Sequence, residues 1–197
     1  MWYELTRWYS YRRIKHPHMK YYVTVLPLTI TLVLSLLYLK YIGAQHAMVD
    51  GGLIKTVGDI VMLLPGFFIA ALAAVSTFQH GNLDELMDEE QCPTMPLRTQ
   101  GKVAQTEITN RLFLCSLFSY LTAISFVILV IYGCVSVISK TFDSDRQIVE
   151  AILSSYPTLI GTAALVILYL FLFASLLVSG IHGLYFLSER IHRPSDT

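Results

Sequence analysis

The chain has 197 residues, 54% of them hydrophobic, with a mean hydropathy of +0.56; only 14% are charged. That composition excludes an ordinary water-soluble domain, whose apolar runs are short and interrupted. Fourteen basic and fourteen acidic residues cancel, so no net charge draws the chain to nucleic acid.

Residues 1–20 form a basic, aromatic arm. Trp2, Tyr3, Trp8, Tyr9 and Tyr11 alternate with Arg7, Arg12, Arg13, Lys15 and Lys20. Aromatic rings favour the headgroup layer and basic groups favour anionic lipid. The arm is expected to anchor at the interface, with lipid sensing or partner binding as its other reading. His16-x-His18 lacks the further ligands that a metal site needs.

Four stretches free of Lys, Arg, Asp and Glu follow: Tyr21–Leu39, Ile60–Gln79, Leu112–Ile138 and Ala151–Ser188. Each reaches the roughly 20 residues that a membrane-crossing helix needs. They are too long and too uniformly apolar for barrel strands. They predict an all-α membrane protein with a four-helix domain over residues 21–197. The first stretch has only Gly43-Ala44-Gln45-His46-Ala47 after it, a poor cleavage site, and is expected to stay as a span. The last is too long for one span, and is expected to break at Pro157 between a short outer helix and a long one.

Within the second stretch, Lys55 and Asp59 stand one turn apart and are expected to form an interfacial ion pair. Pro65-Gly66 should kink the helix. Gly66, Ala70 and Ala74 recur every four residues, a small-residue face suited to packing against another span or a second copy. The third stretch carries Ser116, Ser119, Thr122 and Ser125, expected to hydrogen-bond between helices rather than line a wet path. The fourth repeats the small-residue device at Ser175, Ser179 and Gly183. Between the third and fourth, Ser144 and Gln147 fit a capping box, with Ile148, Ala151 and Ile152 on a short apolar face.

The connection 80–111 gathers five of the fourteen acids into seven positions, Asp84, Glu85, Asp88, Glu89 and Glu90. Asn82 is suited to cap a short helix there. Leu83, Leu86, Met87 and Glu90 then share one side, and Cys92-Pro93 ends it. A polar connector over 93–111 is expected to resume as helix near the third span. Ten Lys and Arg flank the spans on the side of both termini and this connection, against four (Lys40, Lys55, Lys140, Arg146) on the other. The asymmetry places both termini and the connection in the cytoplasm. Acids add little to orientation and are repelled by anionic lipid. A negative knob held off the membrane therefore suits docking of a cytosolic protein through residues Leu83 to Glu90, the other reading being a solvated hairpin.

No nucleotide loop, hydrolase elbow, zinc motif or dinucleotide fingerprint occurs, so no enzyme, metal or cofactor is expected. Cys92, Cys115 and Cys134 are odd in number and unpatterned, which argues against a disulfide framework.

The segment TEITNRLFLCSLFSYLTAISFVILVIY joins a polar, basic-ended lead to Leu-Phe-Leu and then Phe-Ser-Tyr-Leu. Together with the length and the N-in arrangement, it resembles the membrane subunits of Kiwa anti-phage defence systems, the KwaA family. The likeness is one of architecture and carries no catalytic motif. It implies a homo-oligomeric inner-membrane sensor, with a tetramer as one candidate. It also implies a cytosolic DNA-binding effector of the KwaB kind as partner, without direct contact to nucleic acid. A pore-forming effector and a small transporter are the alternatives.

Overall fold

A computed structural model describes residues 11, 12, 14, 21–41, 52–77, 81–87, 93–99, 102–142 and 156–190. His16, His18, Asp88, Glu89, Glu90, Cys92, most of the N-terminal arm and the segment around Ser144 and Gln147 lie outside the described residues.

Among the described residues, four helices are long and apolar enough to cross a membrane: span one Tyr21–Tyr41, span two Leu53–Thr77, span three Asn110–Val137 and span four Ile160–Ser188. The shortest, at 21 residues, reaches about 30 Å, the thickness of the hydrocarbon core. The protein is a multi-pass, helical membrane protein. Lipid offers the backbone no hydrogen-bond partner, so each span must satisfy its own amides and carbonyls.

Span two starts at Leu53 rather than at Ile60, because Lys55 and Asp59 lie exposed on an outer turn and do not interrupt the backbone. It has two segments, Leu53–Val61 and Leu64–Thr77, with a turn at Met62-Leu63. Pro65 explains the interruption: it has no N–H for the Val61 carbonyl, and its ring crowds the preceding turn. Span three belongs to one unbroken helix, Asn110–Phe142. The helix of span four runs Tyr156–Tyr185, which puts Pro157 in its first turn, where a missing N–H costs nothing.

Span three is the centre of the bundle. Span four packs on it, both segments of span two pack on it, and span one packs on span four. Phe113, Leu114, Leu117, Leu121 and Ile128 of span three are all fully buried. Leu63, Val130, Ile160 and Ile181 point outward at 64–83% exposure, as lipid-facing side chains do. Close approach is bought by small residues. Ser175, Ser179 and Gly183 of span four are buried, and a Cβ on Gly183 would meet Leu117 Cδ2 at 2.6 Å. Gly58 takes the Tyr132 ring flat against its backbone. At the same end the Tyr169 hydroxyl donates to the Ile54 carbonyl at 3.0 Å, tying span four to span two inside the core.

The hydroxyl stripe of span three differs from expectation. Ser116, Thr122 and Ser125 donate to Phe113, Phe118 and Leu121 of their own helix at 2.7–2.8 Å, not to a neighbouring span. The nearest acceptor in an apolar surrounding is the carbonyl one turn back.

The connection between spans two and three also departs from the helical expectation. Its helix is a single turn, Gly81–Asp84. The polar connector is a β-hairpin, β1 Thr94–Thr99 and β2 Lys102–Glu107, with Thr94 opposite Glu107 and Thr99 opposite Lys102. Gln100-Gly101 joins the strands, the two-residue connection for which glycine is favoured. Ile108 N donates to Pro93 O at 3.1 Å, which fixes the parity of the ladder. Pro96 then falls on a pair that exchanges no hydrogen bond, and its missing N–H lies on the outer edge of β1.

Gly58→Ala should destabilise the fold by about 1–3 kcal/mol, because the new Cβ would lie 2.5 Å from Tyr132 Cγ. Gly66→Ala, with nothing within 4 Å of its Cβ, should leave the protomer unchanged. Thermal unfolding in detergent separates the two.

Candidate functional site at the hairpin end of the bundle

The polar chemistry of the described residues collects where the hairpin meets the spans. Thr109 caps span three, its Oγ1 accepting from Leu112 N at 3.3 Å. Two residues on, the Arg111 guanidinium grips three things. Nε and Nη2 donate to Asp84 Oδ1 and Oδ2 at 2.7 and 3.0 Å, a two-pronged pair. Nη1 donates to the Val75 carbonyl at 3.1 Å and reaches Ser76 O at 3.5 Å. These carbonyls belong to the last turn of span two, which has no amides of its own to offer them. One side chain thus closes the end of span two, the single turn after it and the start of span three.

Residues 85–87 run antiparallel to 108–110, just beyond the end of β2. Met87 N donates to Ile108 O at 3.0 Å and Asn110 N to Glu85 O at 3.1 Å, with Leu86 opposite Thr109. The sheet itself has two strands, and this isolated bridge carries its pairing past the base of the hairpin. Leu83, Met95 and Ile108 are buried beneath it, and Met87 packs on the same core.

The residues expected to bind a partner divide by use. Leu83 and Met87 serve the core, and Asp84 serves the clamp. Glu85 and Leu86 are exposed; Asp88, Glu89 and Glu90 lie outside the described residues. The Arg111 fork holds the Asp84 carboxyl below the usual carboxylate range. Of the small-residue face, Gly66 and Ala70 are exposed and Ala74 half-buried. Phe68 and Val75, on the opposite side of that helix, are buried instead. A side chain at Gly66 would meet open space, and Ala70 is exposed beside it.

Tyr11 is inserted between spans three and four. It is fully buried, with its ring 5.1 Å from that of Tyr120 and 5.9 Å from that of Phe113. Phe113 extends the cluster to Phe186 at 4.8 Å, tilted, and to His182 at 6.0 Å, edge-on, and His182 stacks on Tyr22 at 5.2 Å. Arg12 sits 5.8 Å over the Phe171 ring and donates to Val23 O at 3.3 Å. At the other end of the bundle, Asp59 accepts from the Tyr132 hydroxyl at 3.3 Å, a partner from another span. Among the described residues no His, Cys, Asp and Glu converge as a metal site would require.

The hairpin, the Thr109 cap, the Arg111 clamp and the Tyr11 insertion were not anticipated. Gln100-Gly101 and Thr109, three residues before Leu112, carried local signals for the first two. For the others the sequence held none. Comparisons with protein-family models, curated proteins and solved structures find no match for this chain.

The clamp has a defined pH dependence. Asp84 titrates lower when folded, so its contribution is complete above the unfolded pKa. It is lost as pH falls through the lower, folded value. Acidification through that window should loosen the hairpin base, seen as faster amide exchange at Met87 and Asn110. Asp84→Asn should exchange faster at neutral pH and lose the acid dependence.

Proposed function

We propose that the protein is a membrane-embedded sensor and scaffold. In this reading it oligomerises in a bacterial inner membrane, with the hairpin end in the cytoplasm, and docks a cytosolic effector there. One observation carries it: Glu85 and Leu86 are presented on a backbone pinned at Met87–Ile108 and Asn110–Glu85. An exposed acid beside an exposed leucine, on a pre-ordered support, suits binding with little ordering cost. Asp88, Glu89 and Glu90 follow directly in sequence and extend the negative charge. The Lys and Arg asymmetry supports the orientation. The resemblance to Kiwa membrane subunits supplies the partner, a DNA-binding effector of the KwaB kind, and a role in anti-phage defence. The alternatives are a pore-forming effector and a small transporter; of the stripe that a pore would use, Ser116, Thr122 and Ser125 donate to carbonyls of their own helix.

Binding of a purified KwaB-like effector from the same host to nanodisc-embedded protein tests this. Replacing Glu85, Asp88, Glu89 and Glu90 with their amides, and leaving Asp84 to the clamp, should slow association severalfold and flatten its salt dependence. Leu86→Ser should instead raise the off-rate and keep the salt dependence. Binding unchanged by both variants would remove the hairpin end as the docking surface.

The Gly66 and Ala70 face is assigned to a second copy, because those positions have room for one. Gly66→Ile or Ala70→Ile should lower the oligomer mass in light scattering without lowering protomer stability. An unchanged mass would place the oligomer contact elsewhere.

A further inference from the structure

We infer that Tyr11 is a releasable latch, and that anionic lipid headgroups are the ligand that draws it out of its seat between spans three and four. The seat accommodates the ring well, against Phe113 and Tyr120, but not the hydroxyl. Tyr11 Oη is buried and has no hydrogen-bond partner among the described residues. Ser175 Oγ of span four is likewise buried and unpartnered, and Ser179 faces Tyr11 outside hydrogen-bonding geometry. A phenylalanine would keep every ring contact without burying an unsatisfied hydroxyl.

The tyrosine has a second home that a phenylalanine would favour less. At the headgroup layer a phenol keeps its ring in the apolar zone and its hydroxyl wet. Neighbouring residues suit the same layer: Trp8 and Tyr9 precede it, and Arg12, Arg13 and Lys15 follow. Each basic residue near an anionic surface adds to the pull. Tyr11 thus has a second placement to go to, and lipid charge sets the balance between the two. Release would also be felt at the hairpin. Phe113, which the Tyr11 ring touches, lies on the same helical turn as Arg111. The inference rests on this geometry alone and stands whether or not an effector docks.

The test uses the full chain carrying Cys92→Ser, Cys115→Ala, Cys134→Ala and Ser179→Cys, so that one thiol reports on the seat. N-ethylmaleimide, which is neutral, is added in nanodiscs of phosphatidylcholine or of phosphatidylcholine with phosphatidylglycerol, and alkylation is read by mass spectrometry. Alkylation should be severalfold faster with phosphatidylglycerol. An anionic surface by itself slows thiolate chemistry by concentrating protons, so the expected change runs against that background. Adding Tyr11→Phe should slow alkylation in the anionic discs about fivefold or more. Adding Tyr11→Ala should make it fast in both lipids, with thermal unfolding as the check on the fold. Equal rates in the two lipids, or no slowing by Tyr11→Phe, would show a permanent structural plug and overturn the inference.

Discussion

Arg111 stands where the chain would otherwise come apart. A helix that ends at a membrane surface leaves carbonyls without amides, and span two ends that way at Val75 and Ser76. The chain must then turn, run through a polar connection and re-enter the membrane as span three. Arg111 answers both needs at once. It donates to the span-two carbonyls and to Asp84, and is itself the second residue of the helix that re-enters. Span three is the helix on which spans two and four pack, so the clamp sets the hairpin against the centre of the bundle. A lysine could not replace it, because a single ammonium does not present a fork to the carboxylate and a third donor to the carbonyl.

Away from that point the spans cohere by fit. Lipid tails are as apolar as leucine, so burial alone does not favour helix against helix over helix against lipid. Packing contacts and a few polar ones must decide. Gly58 under Tyr132 and Gly183 under Leu117 bring backbones close. Tyr169 to Ile54 adds a hydrogen bond where water cannot compete. Not all the small residues are spent this way. Ser175, Ser179 and Gly183 face inward, whereas Gly66 and Ala70 face outward, although the spacing is the same.

That contrast marks how far the sequence was legible. The four spans were plain, because a run of uncharged residues long enough to cross lipid has few other uses. The kink at Pro65 was plain as well, since the cause is local. Which small-residue face packs inside the chain was not, because spacing fixes a face but not its neighbour. The acidic connection misled more deeply. Leu83, Leu86 and Met87 read as one side of a helix, and Leu83 and Met87 are indeed directed to the core. The backbone that carries Leu86 and Met87, however, is extended. A short apolar pattern fits either period when only three positions sample it. Asp84 looked like one charge among five, and only its distance to Arg111, remote in sequence, gives it a separate role. Tyr11 was assigned to the interface by residue type, and nothing local distinguishes it from Tyr9.

The two ends of the bundle are built on different terms. At the end holding Ile54, Gly58 and Asp59, ties run directly from span to span and include a buried hydrogen bond. To loosen that end is to loosen the bundle. At the hairpin end, most ties run through pieces that are not spans: Asp84 to Arg111, residues 85–87 to 108–110, and Tyr11 to a cluster of aromatic rings; only the Arg111 bonds to the Val75 and Ser76 carbonyls run from span to span. Apart from those Arg111 bonds, these ties can shift while the four helices keep the packing they make along their length. Local opening is cheapest where few buried contacts are lost. A change arriving from the membrane or from bound protein would therefore move the hairpin end first, with the opposite end as the fixed support against which it moves.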